Sequence, residues 1–317
     1  MATPTLNERT QRLADHIAAN AANLRVAVEK TPNGARVIDC GVRADGGLNA
    51  GLSLARICLA GLADVALVPG EVAGVPCPLV QVMTDHPIVA CMASQYAGWQ
   101  IQVGKFFAMG SGPMRALYGK EELFQQIPGR EKAPVAVGVL ETRKLPTEEV
   151  VTHLCQQLGL DPPLLVLLCA PASSMAGTLQ VVARSVETAL HKLHELHFDL
   201  VQVVSAQGWA PLPPVAADEI GAIGLTNDAI LYGGRVVLWV YAEDHQLELI
   251  GPKVPSCSSP DYGAPFAEIF ERAGRDFYKI DKSLFSPAEL VMYNLKSGRS
   301  HRFGKLAPEV LRRSFGY

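Results

Sequence analysis

The sequence predicts an α/β to α+β fold, with two side-by-side subdomains built on mixed sheets. Three observations carry this. Leu164 to Ala170 (LLVLLCA) is a continuous apolar run of strand length closed by Pro171, and it feeds a long helical pattern over Ser173 to Asp199. Asp39 to Gly70 reads strand, glycine-rich turn, helix, strand, a βαβ-like unit of ordinary length. The last third offers β-rich pieces: DLVQVVSAQGWAPLPP, IGAIGLTNDAILYGG and RVVLWVYA. A chain of 317 residues with 49% hydrophobic content can bury one large core or two smaller ones. Asp161-Pro162-Pro163 marks the division, giving an N-terminal α/β subdomain over 1–160 and a C-terminal one over 161–317, with interleaving allowed.

Taken in order, Leu6 to Asn20 has the period of an amphipathic helix, and LRVAVEK and ARVIDCGV flank Thr31-Pro32-Asn33-Gly34 as a hairpin. The Asp39 to Gly70 unit echoes the central stretch. Ala50-Gly51 and Ala55-Arg56 correspond to Ala176-Gly177 and Ala183-Arg184, each followed by an apolar helix half and then DVALV or DLVQVV. This weak repeat predicts two related halves with their glycine-rich turns around a shared cleft; only the second copy carries an acid, since Leu59 takes the position of Glu187. VAVGVLET (Val135 to Thr142) is a strand, and Thr147 caps a helix that has Glu148 and Glu149 in its first turn and Gly159 past its end. The central helix is expected to start near Gly177 or Thr178, whereas Thr226-Asn227-Asp228 and Tyr232-Gly233-Gly234 fall at expected turns. The C-terminal part holds a Pro/Ser/Cys-rich loop, a helix entered through Pro265, a Ser-Gly hairpin at 297 and 298 and a final short helix within a basic tail. That tail is either a solvated face or a receiver for an anionic ligand or a neighbouring subunit.

Composition excludes several classes. A formal net charge of −3 provides no basic field for nucleic acid or an acidic membrane, which points to a small partner. Seven cysteines with no C-x-x-C, most inside apolar runs, read as reduced core thiols in a reducing compartment rather than disulfides or zinc ligands. The polar N-terminus and the absence of any apolar run near the ~20 residues of a bilayer span predict a cytoplasmic protein. His191, His194 and His197 fan across a helix at i, i+3, i+6 without H-E-x-x-H, so no metal site is expected. Walker, Rossmann and G-x-S-x-G patterns are absent as well.

The candidate chemistry lies in three places. Arg184 and Glu187, at i, i+3, share a helix face beside an apolar stripe of Val181, Val182, Val186, Leu190 and Leu193. They are either a solvated salt bridge or, given the small residues Ser173, Ser174, Ala176 and Gly177 at the strand-to-helix junction, a carboxylate poised as general base. Cys91 to Gly119 carries Gln95, Tyr96 and Trp99, whose amide, hydroxyl and rings suit a flat heterocycle, and Gly110-Ser111-Gly112 offers a backbone nest. Asn227 and Asp228 present polar groups at an expected turn, where ordinary turn chemistry is the competing reading.

NGARVIDCGV, GGLNAGLSLARICLAGLADV, ASQYAGWQI, AMGSGPMRAL, MAGTLQVVARSVETALHKLHEL, TNDAILYGG and DYGAPF together resemble the methenyltetrahydromethanopterin cyclohydrolases over essentially the whole chain. The resemblance implies two α/β parts flanking a large pocket, a homotrimer, and no metal or permanently bound cofactor. It also implies hydrolysis of the N5,N10-methenyl cation of tetrahydromethanopterin, or its dephospho form, to the N5-formyl form. Glu187 matches the family's general base for water attack, and Arg184 the residue that orients and tunes it. Gln95, Tyr96, Trp99, Ser111, Gly112, Asn227 and Asp228 would then bind the pterin. The competing expectations are a non-catalytic pterin or nucleotide binder, and another pterin-dependent one-carbon enzyme such as a formyltransferase.

Overall fold

Thr5 opens a helix through a reciprocal capping box with Glu8, in the way a Ser/Thr-x-x-Glu start allows. The structure, a computed structural model, describes residues 5–276 and 279–317. Its elements run α1 (Leu6–Ala19), α2 (Ala21–Leu24), β1 (Ala27–Lys30), β2 (Arg36–Asp39), α3 (Leu48–Cys58), β3 (Asp64–Val68), β4 (Glu71–Val72), β5 (Val75–Pro76) and β6 (Leu79–Thr84). A π-helical segment, Ile88–Gln95, precedes β7 (Trp99–Val103), β8 (Phe106–Ser111), α4 (Met114–Tyr118), β9 (Ala136–Glu141), α5 (Glu148–Leu158) and β10 (Leu165–Ala170). The rest is α6 (Met175–Val182), α7 (Ser185–Glu195), β11 (Val203–Pro211), α8 (Glu219–Gly233), β12 (Arg235–Val240), α9 (Asp244–Ile250), α10 (Phe266–Arg272), β13 (Glu289–Asn294), β14 (Ser300–Gly304) and α11 (Pro308–Phe315).

These elements form an α/β protein of two units, each gathered from two stretches of chain: residues up to Ala63 with Val89–Gln180, and Asp64–Ile88 with Val181–Tyr317. The expected division at 160/161 does not follow this packing, because β10 pairs in parallel with both β2 and β9 and so belongs in the middle of the first sheet.

The first unit holds a mixed six-stranded sheet in the order β1-β2-β10-β9-β8-β7. The hairpin read from Thr31 to Gly34 is there, with β1 and β2 antiparallel in the register Ala27 to Asp39. Both faces of the sheet are covered. Val37, Ile101, Leu140 and Leu167 pack under Val150, Val151 and Leu154 of α5, while Ile38, Val139, Val166 and Leu168 pack under Ala14 and Ile17 of α1 and Leu54 and Ile57 of α3. A strand covered on both sides has no polar face, which is why β10 reads as an unbroken apolar run.

Two features order the carboxyl ends of these strands. The buried Asp39 carboxylate accepts from the backbone N–H groups of Gly41 (3.0 Å), Val42 (2.7 Å), Arg43 (2.9 Å) and Ala44 (3.1 Å), which winds the glycine-rich loop around one side chain. The small residues of the apparent repeat then pack against each other: a Cβ on Gly51 of α3 would lie 2.9 Å from the Leu179 Cβ and 3.1 Å from the Ala176 Cα of α6. Both glycine-rich turns therefore belong to the first unit, one to each of two closely crossing helices, and the expected one-per-half arrangement does not hold. At Gly177 a Cβ would meet the Pro171 carbonyl oxygen at 1.8 Å, so that glycine is required by the backbone itself.

The second unit holds a mixed sheet in the order β14-β13-β12-β11-β6-β3 and the small β4-β5 hairpin. Helix α7 lies close on β11 at Gly208, where a Cβ would approach the Ser185 Oγ to 2.7 Å and the Val186 Cγ2 to 2.9 Å. The segment IGAIGLTNDAILYGG, expected as β with a turn at 226–228, is helix α8, and only Gly233-Gly234 ends an element. Asp218 caps it by accepting from the Gly221 N–H at 2.7 Å. Its residues pack against α10, α11 and β11, so burial on several sides erases the helical polarity pattern on which a sequence reading depends.

Four basic residues of the C-terminal tail find acidic partners within this unit: Arg299 with Asp244, Arg302 with Glu289, Arg313 with Glu268 and Lys296 with Glu243. None of the seven cysteines is in a disulfide, and six of them are buried. Burial, with Asp39 nearby, pushes the Cys40 thiol up to about 12, and burial raises Cys169 as well, so these sulfurs are protonated packing groups.

Candidate active site

The helical pattern over 173–199 is two helices rather than one. The Arg184 N–H bonds back to the Val181 carbonyl at 3.1 Å in a tight turn, Arg184 takes φ −92° and ψ 8°, and α7 begins at Ser185. Arg184 is thus the N-cap of α7 and Glu187 stands in its first turn, where unsatisfied backbone N–H groups and the helix dipole favour a negative charge. The expected shared face of a continuous helix gives way to this arrangement. Arg184 is only 7% exposed and Glu187 only 5% exposed, which is not the situation of a solvated surface ion pair.

The second candidate region belongs to the first unit. Gln95 ends the π-helical segment and is fully buried, and the backbone N–H of Tyr96 closes the last π turn on the Cys91 carbonyl at 2.8 Å. Ser94 links this segment to its neighbours: its Oγ donates to the Cys58 carbonyl at 2.6 Å, and its own carbonyl accepts from the Gly112 N–H at 2.8 Å. Ser111, on β8, places its Oγ 3.5 Å from the Cys58 Sγ. Gln95, Ser111 and Gly112 therefore do come together. The Gly112 N–H, however, is taken by Ser94 and is not available to a bound anion, so the expected nest is closed at that position. Gly112 is instead a left-handed turn residue with φ +86°.

Trp99 departs from the expectation. It pairs with Gly110 across the β7-β8 ladder and so faces the side of the sheet opposite Ser111, where its ring stacks on Tyr118 with centroids 4.1 Å apart inside the α5-side core. Adjacent residues on a strand alternate faces, and the spacing from Gln95 to Trp99 crosses from helix to strand, so a composition argument could not see this.

Asn227 and Asp228 are not at the expected turn. Both lie within α8; the Asn227 amide donates to the Ile223 carbonyl at 2.8 Å, and buried Asp228 accepts from the Phe266 N–H at 2.8 Å and the Ser314 hydroxyl at 2.5 Å. Asp228 thereby fastens α10 and α11 to α8. Burial pushes its carboxyl up to about 7. A group raised in the folded state stabilises fully below its unfolded value of about 4, and that contribution is lost as pH rises through about 7. Asp228→Asn is accordingly expected to melt at or above wild type at pH 8 and to lose this relative advantage by pH 5, with KM unchanged. Scanning calorimetry at the two pH values checks the first part, and a clearly lower midpoint at pH 8 would contradict it.

Sequence reasoning missed three polar residues of the first unit. Arg115 is fully buried. Gln180, also buried, donates to the Glu141 carboxylate at 3.5 Å and faces the Cys58 thiol at 3.7 Å, which extends a polar chain from Ser111 towards the carboxyl end of β9. Glu141 as the first charged residue after the apolar strand VAVGVL was the available signal, since ligands gather at the carboxyl ends of parallel strands. Among the described residues no group of three or more His, Cys, Asp or Glu side chains could hold a metal ion, and no helix is long and apolar enough to cross a membrane.

Comparison with known proteins gives one consistent result. The profile of the family described as Cyclohydrolase (MCH) matches residues 5–315. Methenyltetrahydromethanopterin cyclohydrolase of Rhodopirellula baltica is 49% identical, over 99% of this chain and 95% of its own length. The proteins of the same name from Methylobacillus flagellatus (44% identical; 99% and 96% covered) and Methanococcoides burtonii (41%; 98% of each) are similar over their full lengths. Identity of this order over nearly the whole chain, together with the family match over residues 5–315, establishes that the chain belongs to the methenyltetrahydromethanopterin cyclohydrolase family.

Proposed function

We propose that this protein catalyses the reversible hydrolysis of the N5,N10-methenyl cation of tetrahydromethanopterin to N5-formyltetrahydromethanopterin, with Glu187 as general base and Arg184 as the residue that orients and tunes it. The observation that carries the reading is a nearly buried carboxylate in the first turn of α7, three residues after an enclosed arginine at its N-cap, in a member of this family. The reaction needs such a group. Water adds to the electron-poor methenyl carbon as Glu187 takes one of its protons, giving a neutral carbinol. The C–N10 bond then breaks, N10 takes up the proton held by Glu187, and the carbinol hydroxyl loses its proton as the formyl C=O forms. One proton is released overall. The same carboxylate stabilises the bound cation electrostatically before attack.

Gln95 and Tyr96, supported by the Ser94 to Gly112 link, supply the amide and ring that read the pterin. The chain works as a homotrimer in the cytoplasm, a compartment that suits seven cysteines outside disulfides, and without a resident metal or prosthetic group. Purified protein mixed with the methenyl pterin, with neither metal nor nucleotide added, is expected to abolish the methenyl absorbance at a rate unaffected by prior dialysis against chelator. Tight binding without loss of that absorbance would instead make the protein a pterin binder. Activity lost to chelator and restored by zinc would refute the metal-free mechanism.

A further inference from the structure

Arg115 is an unusual residue to find with 0% exposure, and its five donors are almost all accounted for. Nε and Nη2 form a forked pair of bonds to the Glu121 carboxylate at 2.8 and 2.6 Å. Nη1 donates to the Met92 carbonyl at 2.9 Å and to the Ser94 carbonyl at 3.4 Å. The Tyr96 ring lies 5.0 Å and the Phe124 ring 5.5 Å from the guanidinium carbon. The two carbonyls are the significant partners. The π segment ends with Tyr96 bonding back to Cys91, so the carbonyls of Met92 and Ser94 lie at its C-terminal end, where helical partners run out.

We infer that Arg115 is a positioning residue for the substrate: by satisfying these carbonyls and lying against the Tyr96 ring, it sets the backbone at 94–96, and with it the Gln95 amide and the Tyr96 ring. This rests on the reading above that Gln95 and Tyr96 meet the pterin. Two arguments favour it over a purely structural role. A buried ion pair is a poor source of stability, because well-packed apolar side chains of similar volume commonly do as well or better. The pair here is also arranged to impose geometry: the planar fork fixes Arg115 on Glu121, short α4 follows directly on the Gly112-Pro113 turn, and the Gly112 N–H holds the same Ser94 carbonyl. One guanidinium and one backbone N–H thus lock the two candidate substrate segments of this unit in register.

Arg115→Lys keeps the charge but loses the fork, and Glu121→Gln keeps Arg115 while weakening its anchor. Both full-length variants are measured by loss of methenyl absorbance over a range of substrate concentrations, with circular dichroism melting in parallel. Arg115→Lys is expected to raise KM about tenfold or more with kcat within about threefold of wild type, and Glu121→Gln to shift KM the same way by a smaller factor. A structural role would lower the melting midpoint and the active fraction, hence kcat, with KM unmoved. Unchanged KM in Arg115→Lys overturns the inference; if that variant does not fold, unchanged KM in Glu121→Gln overturns it. Failure of the wild type to consume the methenyl pterin would sink the functional reading instead, so the two failures are distinguishable.

Discussion

Replacing Glu187 by Gln is expected to lower turnover on the order of 10²-fold or more while substrate still binds. The substitution preserves shape and hydrogen-bonding reach and removes only the ability to take a proton, a capacity that contributes typically 10²- to 10⁴-fold in general-base catalysis. Stability should change by about 1 kcal/mol or less in either direction. Losing the negative charge forfeits the favourable helix-start interaction, but it also relieves the cost of holding a carboxylate that is 5% exposed. If the pair served only to hold α7 in place, the pattern would invert, with a clear drop in melting midpoint and near-normal turnover. Steady-state kinetics and thermal melting on the same preparation separate the two.

The largest expected effect on folding falls at Asp39. Four backbone N–H groups converge on its carboxylate, and Asp39→Ala leaves all of them without that acceptor in a loop that α3 depends on. Bonds to a charged acceptor are worth about 1.5–3 kcal/mol each, and a buried donor left unmade costs about as much. Water can reach part of the loop and recover some of this, so the net loss should be at least about 3 kcal/mol. Domains are stable by only about 5–15 kcal/mol, so Asp39→Ala should be poorly soluble or melt far below wild type. Asp39→Asn should lie between them, because its carbonyl serves one side of the loop while its NH₂ group faces donors on the other. Denaturant titration ranks the three; an Ala variant within 1 kcal/mol of wild type would contradict this account of the loop.

Much of the framework was legible because local signals and tertiary environment agreed. Thr31 to Gly34 forms the expected turn, Thr147 and Gly159 delimit α5, and the unbroken apolar run at 165–170 is the doubly covered strand β10. The failures share a cause, which is geometry set by long-range packing. Helix α8 is buried against several neighbours and rich in Gly, Ala and Ile, so its sequence carries no 3.6-residue polarity pattern. The break at Ala183–Arg184 has no Gly or Pro to announce it, and it accompanies the close seating of Ser185 and Val186 on Gly208. Which face of the first sheet receives Trp99 and which receives Ser111 depends on pairing between β7, β8 and β9, beyond the reach of spacing.

Arg184 and Glu187 were legible as a pair of residue types, but their setting was not: enclosure and the new helix start come from the fold. The claim that they serve one chemical step is tested most directly by a double-mutant cycle on the single-turnover rate of methenyl hydrolysis, using wild type, Arg184→Ala, Glu187→Gln and the double variant with enzyme in excess. If Arg184 acts by orienting and tuning Glu187, removing it after Glu187 is gone should change little, so the double variant should be no more than about threefold slower than the slower single variant. Effects that multiply through the cycle, or a Glu187→Gln rate above about a tenth of wild type, would contradict the assignment.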